Sequence, residues 1–207
     1  MVKQSKSLVY FFNNREEVEE KIWSLFKDAL LIKDSPFKTP VFSNIQDGKP
    51  SAKTVVLRSI DKTSKTLFFH SDYRSAKIHY LKIDPICCLT FYNKDEKIQL
   101  RVNAQTKIHY QDHISLTAWQ NTAHYSRKCY LIDQAPGKIL ESPGNSLPKE
   151  FLENGYTMEE SEIGYKNFCV IKCSIISIDW LYLAAQGHTR AVINYKNTKN
   201  RFSWIVP

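Results

Sequence analysis

Hydrophobic and polar positions change period several times along the chain. Near the start, Val18, Ile22, Leu25, Phe26, Ala29 and Leu30 recur at helical spacing. Asn14 followed by Glu17 resembles a capping box just ahead of them. The pattern predicts an amphipathic helix to about Lys33, stopped by Asp34-Ser35-Pro36. From Pro40 the period shortens to two. Strands are expected at 40–45, 51–60, 66–70, 85–92 and 97–110, with Asp47-Gly48 as a hairpin turn. In the second strand Val55 and Leu57 face one way, and Thr54, Val56 and Arg58 the other. In the fifth, Gln99, Arg101 and Asn103 share a face. A short helix at 73–82, closed by Asp84-Pro85, interrupts the series. Strands joined mainly by short turns argue for an antiparallel barrel and against βαβ units.

Beyond Gln111 the period lengthens again, through Trp119 and over 125–131, until Ala135-Pro136-Gly137 breaks it. The stretch 141–161, with Pro143-Gly144-Asn145 and Pro148, reads as a loop with one short helix and as the most flexible part. Strand signals return at 167–178, 179–184 and 189–195, then after a turn at 197–200 to Pro207. The expected organisation is one domain over 1–207. It has an N-terminal helix within 1–35, a helical and loop insertion at 111–165, and strands at 166–207 that complete the barrel.

Composition narrows the classes. No apolar run reaches membrane length, and the first residues lack the apolar core and cleavage site of a signal peptide, so a cytoplasmic protein is expected. The five cysteines, Cys87, Cys88, Cys129, Cys169 and Cys173, are odd in number and follow no CxxC or Cys/His ligand spacing. A reduced compartment, no metal and mostly buried thiols are the expectation. A formal net charge of +8 favours an anionic partner, either a phosphorylated cofactor or nucleic acid.

The chemistry gathers in KTVVLRSIDKTSKTLFFHSDYRSAK, residues 53–77. Two strands and the start of a helix bring Arg58, Ser71, Arg74, Ser75 and Lys77 towards one place. Cations, hydroxyls and free helix N–H groups together suit a phosphate monoester. A surface hairpin carrying solvated Lys and Arg explains the same spacing.

With these positions laid out, the chain resembles the pyridoxamine 5′-phosphate oxidase-like flavoproteins. The likeness rests on VVLRSID…LFFHSDYRSAK, on QLRVNA from Gln99 to Ala104, and on an ending with His188-Thr189-Arg190 and Trp204…Pro207. It implies a mainly β fold with peripheral helices, a six-stranded antiparallel split β-barrel that binds FMN. It also implies a homodimer with two FMN molecules in clefts between subunits. Carried over by residue, Lys53, Thr54, Val55, Val56, Leu57 and Arg58 would run along the flavin, with Arg58 near the phosphate or the ring edge. His70 and Ser71 match the pair after the second strand. Ser75 and Lys77, with Arg74 beside them, match the phosphate-contacting segment. Gln99 would reach the flavin from the other subunit, Arg190 would close the site, and Gln134 is a weaker match to a later cofactor contact.

Several positions depart from the family pattern. Ala104 stands for a glycine, and Gln186 stands where the oxidase has an arginine two places before its histidine. The tryptophan expected against the flavin falls at Leu181, with Trp180 on the opposite face. Tyr125, Ser126 and Arg127 are the nearest candidates for the tyrosine, arginine and serine that hold a substrate phosphate. FMN binding therefore carries over better than oxidation of pyridoxamine phosphate. The resulting expectation is an FMN-dependent oxidoreductase that passes a hydride from a small substrate to the flavin N5. His188 and Arg190 are its catalytic candidates. A flavin carrier with little turnover, and a basic nucleic-acid-binding barrel, are the alternatives.

Overall fold

A computed structural model describes residues 12, 14–144, 146–197 and 201–207. The expected turn residues Asn145 and Thr198 to Asn200 lie outside the described residues. Helix α1 (Arg15–Leu31) begins where the sequence signals it: Asn14 Oδ1 accepts from Glu17 N–H at 3.0 Å, and Asn14 Nδ2 donates back to Glu17 Oε1 at 2.9 Å. Its apolar stripe buries Ile22 and Phe26 completely. Phe26 packs with Phe37 and Phe91 at centroid separations of 6.0 and 5.1 Å, which seats the helix against the sheet. Burying a ring of this size stabilises the fold by roughly 2–3 kcal/mol.

Among the described residues one sheet carries nine strands: β1 (Val41–Gln46), β2 (Lys49–Thr54), β3 (Leu57–Asp61), β4 (Thr66–Asp72), β5 (Ile86–Asn93), β6 (Ile98–His109), β7 (Phe168–Tyr182), β8 (Thr189–Asn194) and β9 (Phe202–Ile205). All pairings are antiparallel. The order is β2-β1-β5-β6-β7-β4-β3, with β8 and β9 branching from β7. The mainly β architecture is the expected one, and the strands number nine, as many as the strand signals in the sequence and more than the six-stranded barrel that the resemblance implied. The expected 51–60 strand breaks at Val55-Val56 into β2 and β3, and the expected 167–178 and 179–184 strands fuse into β7.

Both differences have a tertiary cause. β2 and β3 sit at opposite ends of the strand order, so hydrogen bonds leave the sheet open and the chain itself bridges the gap at Val55-Val56. The Val55 N–H is satisfied by the Pro40 carbonyl at 3.0 Å instead of a ladder partner. The long β7 serves two neighbours on one side. Its first half pairs with β4 and its second half with β8, while β6 pairs along its whole length.

The alternation read from sequence sets the core. Phe42, Leu57, Leu67, Phe69, Leu100, Val102, Ile171 and Trp180 are all buried inside, whereas Arg58, Arg101 and Asn103 are exposed. Helix α2 (Ala76–Ile83) starts three residues later than expected, because 73–75 form the turn out of β4. The 111–165 stretch supplies α3 (His113–Gln120), α4 (His124–Arg127) and α5 (Lys149–Glu153), joined by 3-10 turns at Lys128–Tyr130 and Glu160–Asn167. Trp119, Tyr130, Phe168 and Val170 form an apolar cluster that joins these helices to β7. No helix among the described residues is long and apolar enough to cross a membrane.

Candidate functional site

Two neighbouring regions hold the residues singled out above. The first lies where β4 turns into α2. Ser71, next to last in β4, is buried; its Oγ donates to the Asp72 carbonyl at 3.3 Å and lies 3.4 Å from Ser75 Oγ. Ser75 occupies the N-cap of α2 without using its hydroxyl as a cap, so that oxygen is not committed to the helix. Two residues on, Lys77 points inward and is only 7% exposed, its Nζ 5.7 Å from the centre of the Phe42 ring.

The electrostatics at Lys77 are unusual. Burial, and then the nearby Lys53 charge, lower its ammonium to about 8. Burial lowers Lys53 as well. Among the described residues Lys77 makes no ion pair. The Asp72 carboxylate is taken by Arg74, at 2.7 Å. Cys169 cannot serve as an anion, because burial pushes its thiol up to about 12, and burial raises Cys173 too. Lys53, Lys77, Ser71, Ser75 and the start of α2 thus gather where the neighbouring carboxylate, Asp72, is committed to Arg74. A buried ammonium in this state is costly unless an anion joins it.

The second region is a cavity of about 630 Å³ beside β3 and β4. Its sheet side is made by Arg58, Ser59, Phe68, His70 and Val170. Its helix side comes from His113, Ile114, Thr117 and Ala118 on α3, and from Asn121 to Ala123, Tyr125 and Ser126. Arg58 reaches it through a bulge that the alternation did not signal. Leu57 pairs with Phe69 and Ser59 with Phe68, so Arg58 is the extra residue; it faces away from buried Leu57 as the alternation has it, and the bulge leaves Ser59 exposed beside it. Among the described residues it has no acidic partner. His70 stacks edge-on against Phe168 at 4.7 Å, and burial, then the Arg58 charge, lowers its imidazole to about 4. Among the described residues His70 Nδ1 is buried without a hydrogen-bond partner.

The helix wall is held by Arg127. The residue is 2% exposed, and its guanidinium donates to the Thr122 carbonyl at 3.2 Å, the Trp119 carbonyl at 3.0 Å and Ser161 Oγ at 3.0 Å, and pairs with Glu162. It also stacks over the Trp119 ring at 4.5 Å. Of the three phosphate candidates in this segment, Tyr125 and Ser126 line the cavity and Arg127 is turned away from it.

The remaining expected residues are distributed as follows. Val55 and Leu57 are core, Thr54 is exposed and Val56 half-buried. Arg74 donates to the carbonyls of Ile132 and Asp133, both at 3.0 Å, and so tethers the loop that carries Gln134. Gln99 and Arg190 lie on another part of the sheet. Gln99 pairs with Leu181, and Leu181 with Arg190, so the three form one row on one face. Arg190 donates to Asp179 at 2.7 Å, and Arg101 pairs with the same carboxylate. His188 is exposed in the loop before β8, next to Gly187 at φ 135°. Within one chain, no hydrogen bond or ion pair among the described residues links this row to Lys77. The bulge at Arg58 and the Arg127 clamp escaped sequence reasoning, since neither has a local signature.

Comparison with known proteins bears on both regions. Residues 20–110 match the family model described as pyridoxamine 5′-phosphate oxidase, FMN-binding domain. The pyridoxine/pyridoxamine 5′-phosphate oxidase 2 of Arabidopsis thaliana is 25% identical over 148 residues, 66% of this chain and 69% of that protein. Among solved structures, a pyridoxamine 5′-phosphate oxidase-related, FMN binding protein from Nostoc punctiforme superposes with a TM-score of 0.72 at 18% identity, covering 91% of this chain and 96% of that one. PhzG from Burkholderia lata, in complex with tetrahydrophenazine-1-carboxylic acid, gives 0.69 at 13% identity, covering 97% and 100%. At these identities the two structures speak to the fold.

Proposed function

We propose that the chain, whose residues 20–110 match the pyridoxamine 5′-phosphate oxidase FMN-binding family model, binds FMN and works as a flavin-dependent oxidoreductase on a small substrate. The observation that carries this reading is Lys77, a buried ammonium beside Lys53 with no carboxylate to neutralise it. The donor set fits a phosphate monoester. Lys53 and Lys77 supply charge, Ser71 and Ser75 supply hydroxyls, and α2 supplies N–H groups at its start. Arg58, one bulge away along the same strand pair, suits the ring edge more than the phosphate.

Bound FMN would supply a two-electron acceptor for a hydride from the substrate. The chain's own residues orient and enclose. Arg58 places positive charge at the cavity, His70 stays neutral there at working pH, and the α3–α4 wall keeps water out. A cavity of about 630 Å³ next to the phosphate cradle favours an enzyme over a carrier, since a carrier has no use for a second chamber. The reading includes a homodimer. In it the half-buried row with Gln99 and Arg190 covers the partner's flavin.

Titration of the flavin-free protein with FMN, followed by flavin fluorescence, tests the reading. Quenching at about one FMN per chain is expected. The Lys53→Met/Lys77→Met variant should bind at least 100-fold more weakly, since each charge-assisted contact is worth roughly 1.5–3 kcal/mol. A protein that leaves excess FMN fully fluorescent would sink it.

A further inference from the structure

The turn from β4 into α2 serves two parts of the molecule at once. Its ends, Ser71 and Ser75, carry the paired hydroxyls of the phosphate cradle. Its middle residues are tied to segments far along the chain. The Tyr73 N–H donates to the Asn167 carbonyl at 2.7 Å. The Tyr73 ring stacks on Tyr110 with centroids 3.5 Å apart, and the Tyr110 hydroxyl donates to the Lys166 carbonyl at 3.0 Å. Arg74 takes the carbonyls of Ile132 and Asp133.

Arg74 is committed to this task. Its Nε bonds Asp72 Oδ1 at 3.1 Å, one terminal nitrogen bonds Asp72 Oδ2 and the Ile132 carbonyl, and the other bonds the Asp133 carbonyl. All three nitrogens are engaged, and a planar fork held in this way fixes the turn and the loop relative to each other. Between Ile132 and Ser146 the described residues form no helix or strand, so the segment depends on such anchors and opens locally at low cost without them. The other anchored segment, Glu160–Asn167, continues to the cavity wall, where Glu162 accepts from Trp119 Nε1 at 2.8 Å and pairs with Arg127.

We infer that Arg74 is a positioning residue that couples the phosphate cradle to the insertion: a phosphate held by the cradle fixes the turn, and the fixed turn keeps 131–134 and 160–167 docked. This rests on the proposed function only for the identity of the ligand, FMN. Linkage makes the coupling reciprocal, so loss of the Arg74 anchor weakens cofactor binding although its guanidinium holds no phosphate. Through Glu162 the same coupling reaches the α3–α4 wall, and loading the cofactor stiffens the substrate side before any substrate arrives.

Hydrogen–deuterium exchange of the FMN-free and FMN-loaded protein tests this. Loading should slow the amides of 131–134 and 160–167 at least fivefold. Arg74→Gln should bind FMN at least fivefold more weakly. Saturated to the same multiple of its own dissociation constant, it should lose the gain in both segments and keep that of α1. Tyr110→Phe, which leaves the cradle and the ring stack in place, should lower the gain at 160–167 alone. No gain in the wild-type insertion, or an Arg74→Gln variant that loses FMN affinity with the gain intact, would overturn the inference. If Arg74→Gln does not fold, an undiminished gain at 160–167 in Tyr110→Phe overturns it instead. If the chain takes up no FMN, the same exchange measurement with inorganic phosphate separates the two failures. Phosphate-dependent slowing of the insertion upholds the coupling while the flavin reading falls, and unchanged exchange overturns the coupling too.

Discussion

Lys77 shows how a single residue can be placed for a ligand at the expense of the empty fold. Its pKa of about 8 means that keeping it charged in the flavin-free protein costs about 3 kcal/mol relative to the unfolded chain. The sign follows from proton counting. Between pH 8 and the ordinary lysine value the unfolded state binds more protons, so stability rises with pH across that window and is least below it. The groups facing Lys77 are Lys53, Cys169 and Cys173, and none supplies a negative charge near neutrality. Lys77→Met should therefore stabilise the flavin-free protein at pH 7, by up to about 3 kcal/mol in denaturant melts, and should flatten the rise above pH 8. A destabilised variant with an unchanged pH slope would mean that the lysine already has a counter-ion. The inward direction of Lys77 is invisible locally, since its neighbours Arg74 and Lys82 share its residue class but are partly exposed or paired.

Among the elements, the α3–α4 wall depends on one buried guanidinium. Arg127 satisfies carbonyls at the C-terminal end of α3 and pins the 3-10 segment Glu160–Asn167 through Ser161 and Glu162. Gly164 in that segment is equally constrained. A Cβ there would meet Leu131 Cδ2 at 3.1 Å and the Trp119 ring at 3.2 Å. Arg127→Ala should cost roughly 1–3 kcal/mol, because it leaves the Thr122 carbonyl without its donor. Urea melts would measure this, and a loss under 1 kcal/mol would show that the wall is held by packing on Trp119 alone. The Arg127→Lys variant should recover little, since one ammonium cannot reach four acceptors in a fork. The helical pattern over 111–131 was legible from sequence. The clamp was not, because its partners lie 34 and 35 positions away.

On the scale of the whole molecule, Gln99, Leu181 and Arg190 form a half-buried row across β6, β7 and β8. The Arg101–Asp179–Arg190 network fixes its side chains, which favours docking against a second copy. Light scattering should give about twice the 24.1 kDa chain mass. Replacing Arg190 with Ala should weaken flavin retention more than it lowers the melting temperature of the flavin-free protein. A monomer that holds FMN tightly would contradict the shared cleft.

What the chain determined by itself is local and periodic. Apolar alternation set which face of each strand is buried, Asn14 and Glu17 set the start of α1, and Asp47-Gly48, both at positive φ, set the hairpin between β1 and β2. These follow from backbone sterics and burial within a few residues, so the sequence states them outright. Only the tertiary structure decided that β2 and β3 lie at opposite ends of one sheet, that Arg58 sits on a bulge, that Arg74 holds a distant loop, and that Lys77 is buried without a counter-charge. Each of these depends on which remote segment arrives to pair, pack or exclude water. That is a property of the assembled sheet, and no short window of residues contains it.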